Sequence, residues 1–245
     1  MGCLWVVGVA FAVALSLAGG GQGLAQTAPS PEGAAGKSAA KTYEQALMAF
    51  DLGDVRTAYI FTKNALQSDP FLLPAHLLLG KIYLQLGHGD RAEKELLIAD
   101  GLGAHRSLIL IPLGRAYLLQ DKATQLISEL VPLGNIAAED AEVLALLGEA
   151  HLQLGELYDA CRAFTQALER DRRSVPGLLG RLRVLLQQGN TNAAAVAARS
   201  AVAIAPNSGN AWYLKGVIAR AQGKASAALE DLNGAAERLP SLLPA

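Results

Sequence analysis

Cysteine is scarce in this chain: only Cys3 and Cys161 occur among 245 residues. Cys3 lies in an N-terminal segment that we expect to be removed, which leaves one cysteine and therefore no internal disulfide. A structural zinc site would also need thiolates that the chain lacks. We interpret Cys161 as a small, buried apolar side chain, and we expect packing alone to hold the fold.

Aromatic residues and net charge are also low. Aromatics make up 5% of the chain against 51% hydrophobic residues, and 21 basic residues nearly balance 22 acidic ones to give a net charge of −1. Such a composition suits a helical solenoid built from small residues, which needs no single large core. Without a global positive field, nucleic-acid binding is not expected.

Residues with catalytic or metal-binding chemistry do not form a recognisable motif. The chain has no G-x-S-x-G sequence, and no histidine lies near Cys161 in the sequence. His76 and His151 are interpreted as packed side chains with a satisfied ring nitrogen, and no pair of the four histidines has metal-ligand spacing on one helix. We therefore expect no enzyme activity, no cofactor and no metal.

The N-terminus has the pattern of a secretory signal. Leu4 to Ala18 is an uncharged apolar run, and Gly23-Leu24-Ala25 is a small-residue cleavage site. At about 1.5 Å per residue the run is short for a hydrocarbon core roughly 30 Å thick. We predict a signal peptide over 1–25 and export to the periplasm, with an uncleaved N-terminal membrane anchor as the alternative. Residues 26–41, rich in Ala, Gly, Pro and Ser, are predicted to be a flexible linker.

The rest of the chain repeats with a period of 34 residues. Glycines recur in this frame at Gly53, Gly87, Gly155, Gly189 and Gly223, and two sets of alanines follow the same frame. Six windows without insertions, counted from Ala39, place the array at residues 42–242 and leave a tail at 243–245. This period is typical of stacked supersecondary units. In each window we predict a first helix over places 2 to 14 and a second over places 18 to 31.

Particular places of the window have particular roles. Glycine at the fifteenth place supplies a left-handed cap that ends the first helix. A small residue at the eighth place, such as Gly80 or Gly148, lets the two helices of one hairpin approach closely, and alanines at the twentieth and twenty-seventh places do the same for the second helix. These features predict six helical hairpins.

The third window departs from the pattern. Asp121 replaces the turn glycine, Leu126 and Leu133 replace the two alanines, and Pro132 interrupts the second helix. We predict a bent or shortened hairpin between Glu129 and Glu139. Two explanations stay open, a degenerate repeat or a kink specific to a partner.

The residues that recur in the 34-residue windows resemble the tetratricopeptide repeat. The match is best in the final window, through Trp212, Gly216, Ala228, Leu232, Ala235 and Pro240. The resemblance implies an all-α, right-handed superhelical solenoid of about six helix-turn-helix units. It also implies that the first helices line a concave groove through places 2, 5, 9, 12 and 13. The peptide-binding candidates at the ninth and twelfth places are Phe50, Lys81, Leu84, Arg115, Leu118, Glu149, Leu152, Arg183 and Leu186.

An apolar stripe beside spaced bases and amides suits a bound peptide, with acidic groups on Lys81, Arg115 and Arg183 and the peptide backbone on glutamines such as Gln153. The alternative is that the leucines pack between hairpins and the bases are merely solvated.

A narrower resemblance concerns the start of the array. The run YEQALMAFDLGDVRTAYIFTKNALQSDPFLLPAHLLLGKIYLQLGHGDRAEKEL and the later run LLGEAHLQLGELYDACRAFTQALERD are similar to exported bacterial tetratricopeptide proteins of PEP-CTERM sorting and exopolysaccharide loci. The resemblance implies a non-enzymatic interaction scaffold of the cell envelope that supports exopolysaccharide production, export or protein sorting. Its expected partner is an envelope protein or peptide.

Two further surfaces suggest other partners. A basic junction of Arg170, Arg172, Arg173 and Arg181 suits an acidic partner or an anionic polysaccharide, but a solvated turn between repeats is the preferred interpretation. The last helix pair has no polar capping helix after it, and Leu239, Leu242 and Leu243 follow. We therefore predict self-association or docking to a partner at the C-terminal repeat, or an array that is cut short.

Overall fold

The computed structural model describes residues 31–130 and 140–238, and this part of the chain folds into twelve α-helices. They are α1 Pro31–Asp51, α2 Val55–Ser68, α3 Leu73–Gln85, α4 Gly89–Gly101, α5 Arg106–Leu118, α6 Ala123–Leu130, α7 Ala141–Gln153, α8 Leu157–Arg170, α9 Val175–Gln187, α10 Thr191–Ile204, α11 Gly209–Ala221 and α12 Ala225–Arg238. From α2 onward, the bounds of the full-length helices agree with the predicted places to within one or two residues.

Consecutive helices pack in pairs, and each pair packs on the next. Helix α1 contacts α2, α3 contacts α4, α7 contacts α8, α9 contacts α10, and α11 contacts α12. The first helices of neighbouring pairs also touch along the series α1, α3, α5, α7, α9 and α11. Contacts therefore run between neighbours along the chain, and the buried apolar residues form several separate clusters. This is the architecture of a helical solenoid.

The turn between the two helices of a pair depends on a left-handed residue. Gly53, Gly87, Gly155, Gly189 and Gly223 have φ between 72° and 79°, as the repeat predicts. In the third hairpin Asp121 takes the same conformation with φ 57°, and the amide N–H of Lys122 donates to the Tyr117 carbonyl at 3.0 Å. A residue with a Cβ is strained there, but Asp is among the side chains that tolerate this region.

Small residues at the eighth place allow the close helix contacts that the sequence predicts. A Cβ added at Gly80 would lie 2.8 Å from Leu96 Cγ, and one at Gly216 would lie 2.8 Å from Leu232 Cγ. In both hairpins the leucine comes from the second helix and occupies the space that a side chain would fill. The alanines of the second helices are buried at Ala58, Ala65, Ala92, Ala99, Ala160, Ala167, Ala194, Ala201, Ala228 and Ala235.

The linker prediction for residues 26–41 is wrong from Pro31 onward, because α1 begins there. Proline suits the first turn of a helix, and the alanines that follow have the highest helix propensity. Ala39 is fully buried, so tertiary packing also stabilises this extension. The linker prediction treated Gly33 and Gly36 as residues that break a helix, and it underestimated the helix propensity of the alanines between them.

Several predictions concern residues outside the described part of the chain. They are the signal peptide at 1–25, the first residues of the linker, the bend at Pro132 and Leu133, and the apolar tail from Leu239. In the described ranges, none of the helices has both the length and the hydropathy needed to cross a membrane.

Candidate functional site

An open cleft of about 1200 Å³ runs along the first helices of the array. Eight of the nine predicted groove residues line it, and these are Phe50, Lys81, Leu84, Arg115, Leu118, Glu149, Leu152 and Arg183. The ninth, Leu186, is not among the lining residues and packs against the buried cluster around Leu182. The helical repeat places these side chains together because every first helix presents the same face.

The cleft is also lined by residues that are not among the nine predicted groove residues. Glu142, Pro176 and Asn210 stand at the second place of their windows, and Ile111 and Ala145 at the fifth. Both places belong to the groove that the tetratricopeptide resemblance implies. The signal for these residues was therefore present in the sequence, but only the ninth and twelfth places were used to choose candidates.

The apolar side chains of the cleft have two roles. Phe50, Leu84, Leu118 and Leu152 each pack against a buried cluster while remaining only partly buried. These apolar side chains therefore both pack between hairpins and line the cleft, so the two interpretations of the apolar stripe are compatible. The buried side of each residue fixes its position, and the other side faces the cleft.

Two of the three bases in the cleft are already paired. Arg115 Nη2 donates to Glu142 Oε1 at 2.5 Å, which joins α5 to α7. Arg183 forms an ion pair with Glu149, which joins α7 to α9. Burial lowers the pKa of the Arg183 guanidinium, and its Nε is buried without a hydrogen-bond acceptor in the described structure. These pairs connect neighbouring first helices across the floor of the cleft.

Lys81 differs from the two arginines. It is exposed, it lines the cleft, and within the described ranges it forms no ion pair. The pairs Arg115–Glu142 and Arg183–Glu149 are each neutral, so Lys81 leaves one uncompensated positive charge near Leu84, one helical turn along α3. The sequence predicted that all three bases would bind acidic groups; of the three, Lys81 is the one whose charge no carboxylate of the described ranges neutralises.

The amide of Gln153 is used within the fold. Its Nε2 donates to the Leu118 carbonyl at 3.1 Å and to Asp121 Oδ1 at 2.6 Å. Both N–H donors of the amide therefore link the third and fourth hairpins, which leaves the amide oxygen as the group that could bind a peptide backbone. Gln85 and Gln187 line the cleft without such a contact among the hydrogen bonds of the described chain.

The arginines of the basic junction lie at the end of α8, in the turn after it and on α9. Arg172 and Arg181 line a second cavity of about 550 Å³. Arg173 is exposed and lies outside its lining, and Arg170 is the last residue of α8. Two of the four arginines therefore share a cavity that has no lining residue in common with the cleft.

The histidines are occupied by local contacts. His76 is buried, with Nδ1 2.7 Å from Glu95 Oε2 and Nε2 3.0 Å from the Pro70 carbonyl, which agrees with its interpretation as a satisfied packed residue. His151 Nδ1 lies 2.6 Å from Glu156 Oε2.

His151, Glu156 and Asp159 bring three potential metal-ligand atoms within 4.8 Å of one another. The search for ligand pairs on one helix missed this group because it spans α7, the turn and α8. Arg162 pairs with Asp159 at 3.1 Å, and a cation bound there would have to displace it.

Comparison with known proteins supports a helical repeat. Residues 116–236 match the family model of ChAPs (Chs5p-Arf1p-binding proteins). The chain is significantly similar to none of the curated protein sequences compared with it.

Solved structures share the fold at low sequence identity. A chain of the APC/C hetero-tetramer Cut9-Hcn1 aligns with a TM-score of 0.66 and 15% identity over 83% of this chain and 40% of its own length. PilW, a type IV pilus biogenesis factor, aligns with a TM-score of 0.63 and 18% identity over 80% of this chain and 90% of its own length. A tetratricopeptide repeat protein from Parabacteroides merdae aligns with a TM-score of 0.57 and 19% identity over 83% of this chain and 81% of its own length.

These similarities, together with the twelve helices of the described ranges, confirm the all-α tetratricopeptide-type solenoid. At such identities they concern the fold alone, and the chain spans less than half of the Cut9-Hcn1 chain.

Proposed function

We propose that this protein is a non-enzymatic interaction scaffold of the bacterial cell envelope and that its cleft binds a peptide segment of a protein partner. The observation that carries the proposal is the cleft itself. It combines partly buried apolar side chains along several hairpins with one lysine, Lys81, that pairs with no acidic side chain among the described residues.

The dimensions and chemistry of the cleft favour a peptide over a small metabolite. Its volume of about 1200 Å³ is spread over helices from α1 to α11, whereas small-molecule sites enclose about 300–1000 Å³ and bury most of their ligand. Apolar anchors repeated at regular intervals, with polar groups between them, are how grooves bind extended or helical segments.

Charge determines which peptide fits best. Lys81 is the cleft base that can receive an acidic side chain without breaking an ion pair, whereas an acid at Arg115 or Arg183 would compete with Glu142 or Glu149. We expect the partner to place an acidic residue beside α3 and apolar residues toward α5 and α7.

The cellular setting of the proposal rests on the sequence. Leu4 to Ala18 and the site ending at Ala25 suit export, and the resemblance to exported tetratricopeptide proteins suggests a role in exopolysaccharide production, export or protein sorting. An N-terminally anchored assembly factor is the alternative, and it differs only in the fate of the first 25 residues. Intact mass in fractionated cells separates the two: a chain beginning at Gln26 in the periplasm supports export, and a full-length cytosolic chain contradicts the envelope assignment.

The cleft is tested with peptides selected against the purified protein. Phage-displayed random dodecapeptides are selected, and the best sequence is synthesised with a fluorophore for polarisation titration. Lys81→Glu and Leu119→Ser alter exposed positions of the cleft. We expect each to weaken binding by about tenfold or more, on the order of 1.4 kcal/mol.

Matched controls lie outside the cleft on α4. Lys94→Glu makes the same charge change on an exposed lysine, and Leu97, 47% exposed, matches Leu119, 50% exposed. We expect Lys94→Glu and Leu97→Ser to bind as the unmodified protein does, with circular dichroism unchanged in all four variants. Equal loss in cleft and control variants, or no loss in either, contradicts the proposal.

A further inference from the structure

A second cavity lies between α8, α9 and α10, away from the cleft. Its volume is about 550 Å³, and its lining combines two arginines, one glutamate, two hydroxyls and three aliphatic side chains. The arginines are Arg172, in the turn after α8, and Arg181, on α9.

The two arginines are available for a ligand. Both are exposed, and across the described residues neither has an ion-pair or hydrogen-bond partner. Arg183, two residues beyond Arg181, is by contrast paired with Glu149 in the cleft. Glu169 also lines the cavity, so the lining carries two positive charges against one negative. The carboxylate of nearby Asp171 accepts the backbone N–H of Arg173 at 2.8 Å.

The floor of the cavity is apolar. Leu168, Leu178 and Ile204 come from three successive helices and are each half-buried. A guanidinium pair beside such a floor matches a segment that alternates acidic and aliphatic side chains, because the acids pair with the arginines while the aliphatic groups leave water.

The hydroxyls distinguish between classes of ligand. Thr165 Oγ1 donates to the Cys161 carbonyl at 2.8 Å, and Ser200 Oγ donates to the Val196 carbonyl at 3.3 Å. Their protons are used, so each hydroxyl presents acceptor lone pairs that suit the N–H groups of a peptide. The lining contains no aromatic ring on which a sugar could stack.

We infer that this cavity, the α8–α10 site, binds an acidic, leucine-containing peptide segment of a protein partner, independently of the cleft. The scaffold would then engage two segments, or two partners, at once. Bivalent engagement raises the overall affinity above that of either site alone.

The probe is a fluorescein-labelled octapeptide, Gly-Glu-Leu-Glu-Asp-Leu-Glu-Gly, titrated into the full chain by fluorescence polarisation. Its counterpart has Gln for each Glu and Asn for Asp. We expect the acidic peptide to bind at least about tenfold more tightly than the neutral one and to weaken with added salt. Arg181→Gln and Arg172→Gln should each reduce its affinity by about fivefold or more.

The matched control is Arg199→Gln. Arg199 is exposed on α10, next to Ser200 but outside the lining, and its substitution removes the same charge. We expect this variant to bind as the unmodified chain does. In a Lys81→Glu background, Arg181→Gln should still reduce the affinity by about fivefold or more, which separates this inference from the proposed function.

Three results would overturn the inference. Equal losses in Arg181→Gln and Arg199→Gln would show general electrostatic attraction, and a loss in Lys81→Glu alone would place the peptide in the cleft. Binding of alginate, but not of the peptide, with the same dependence on Arg181 would assign the site to an anionic polysaccharide.

Discussion

Phe164 of α8 lies so close to Gly180 of α9 that a Cβ at residue 180 would stand 2.0 Å from ring atom Cε1. The same ring lies against Gly148 of α7, where a Cβ would stand 2.7 Å from Cε1. One buried aromatic ring therefore contacts the first helices of two successive hairpins, and both glycines are required by its volume.

Gly180→Ala is expected to lower the free energy of unfolding by about 1–3 kcal/mol, because the added methyl overpacks the ring. The measurement is the urea midpoint followed by circular dichroism. Gly101→Ala on α4 is the control, since a Cβ there meets nothing within 4 Å. In a Phe164→Leu background the cost of Gly180→Ala should shrink; an unchanged cost would contradict the contact.

Lys215→Met is expected to destabilise the last hairpin by about 3 kcal/mol, because it leaves a buried carboxylate without its partner. Asp231 is 4% exposed, and Lys215 Nζ donates to its Oδ1 at 2.5 Å. Thermal unfolding of Lys215→Met is compared with Lys224→Met, which removes an exposed lysine. Adding Asp231→Leu should recover part of the loss, and equal melting temperatures for the two single variants would refute this account.

Stability above pH 10 should depend on Tyr83. Burial, with a further contribution from Tyr59, raises the pKa of the Tyr83 phenol from 10.0 to about 12. The folded state favours the neutral phenol, so this contribution to stability is complete below pH 10 and is lost as the pH rises toward 12.

Tyr83→Phe removes that titration. Between pH 8 and pH 11, the free energy of unfolding of the variant should rise by on the order of 1 kcal/mol relative to that of the unmodified protein. Tyr158→Phe, at a residue 80% exposed, is the matched control. Urea titrations at both pH values provide the comparison, and parallel behaviour of the two variants would show that burial of Tyr83 has no such effect.

Asp121 should tolerate only some substitutions. Asn tolerates the left-handed backbone conformation and keeps an oxygen that can accept a hydrogen bond from Gln153. The free energy of unfolding of Asp121→Asn should therefore stay within about 0.5 kcal/mol of that of the unmodified protein. Asp121→Ala loses the acceptor and strains the backbone, at a cost of about 1–2 kcal/mol. The melting temperatures of the two variants test this, and equal values would mean that neither the hydrogen bond nor the φ of 57° matters.

The sequence predicted the repeat well because the repeat depends on local rules. Gly155 must end a helix and Gly148 must admit Phe164, and each requirement acts within one hairpin. The start of α1 was missed because its glycines and prolines suggest a linker, whereas the burial of Ala39 is a tertiary effect.

Side-chain partners in the cleft were harder to predict. Arg115 and Glu142 are 27 residues apart, and Gln153 reaches Leu118 in the preceding repeat. Such pairs depend on rotamers and on the rotation between hairpins, which a 34-residue pattern does not specify. The sequence could therefore place the bases in the cleft but could not show which of them are neutralised.

The most direct test of the scaffold function is hydrogen–deuterium exchange of the protein with and without the phage-selected peptide. We predict slower exchange in the segments spanning Leu73–Gln85, Arg106–Leu118 and Ala141–Gln153, which carry the cleft. The segment Gly89–Gly101, a second helix that lines neither the cleft nor the α8–α10 site, should be unchanged. Protection confined to the second helices, with the first helices unaffected by a bound peptide, would contradict the cleft as the binding site.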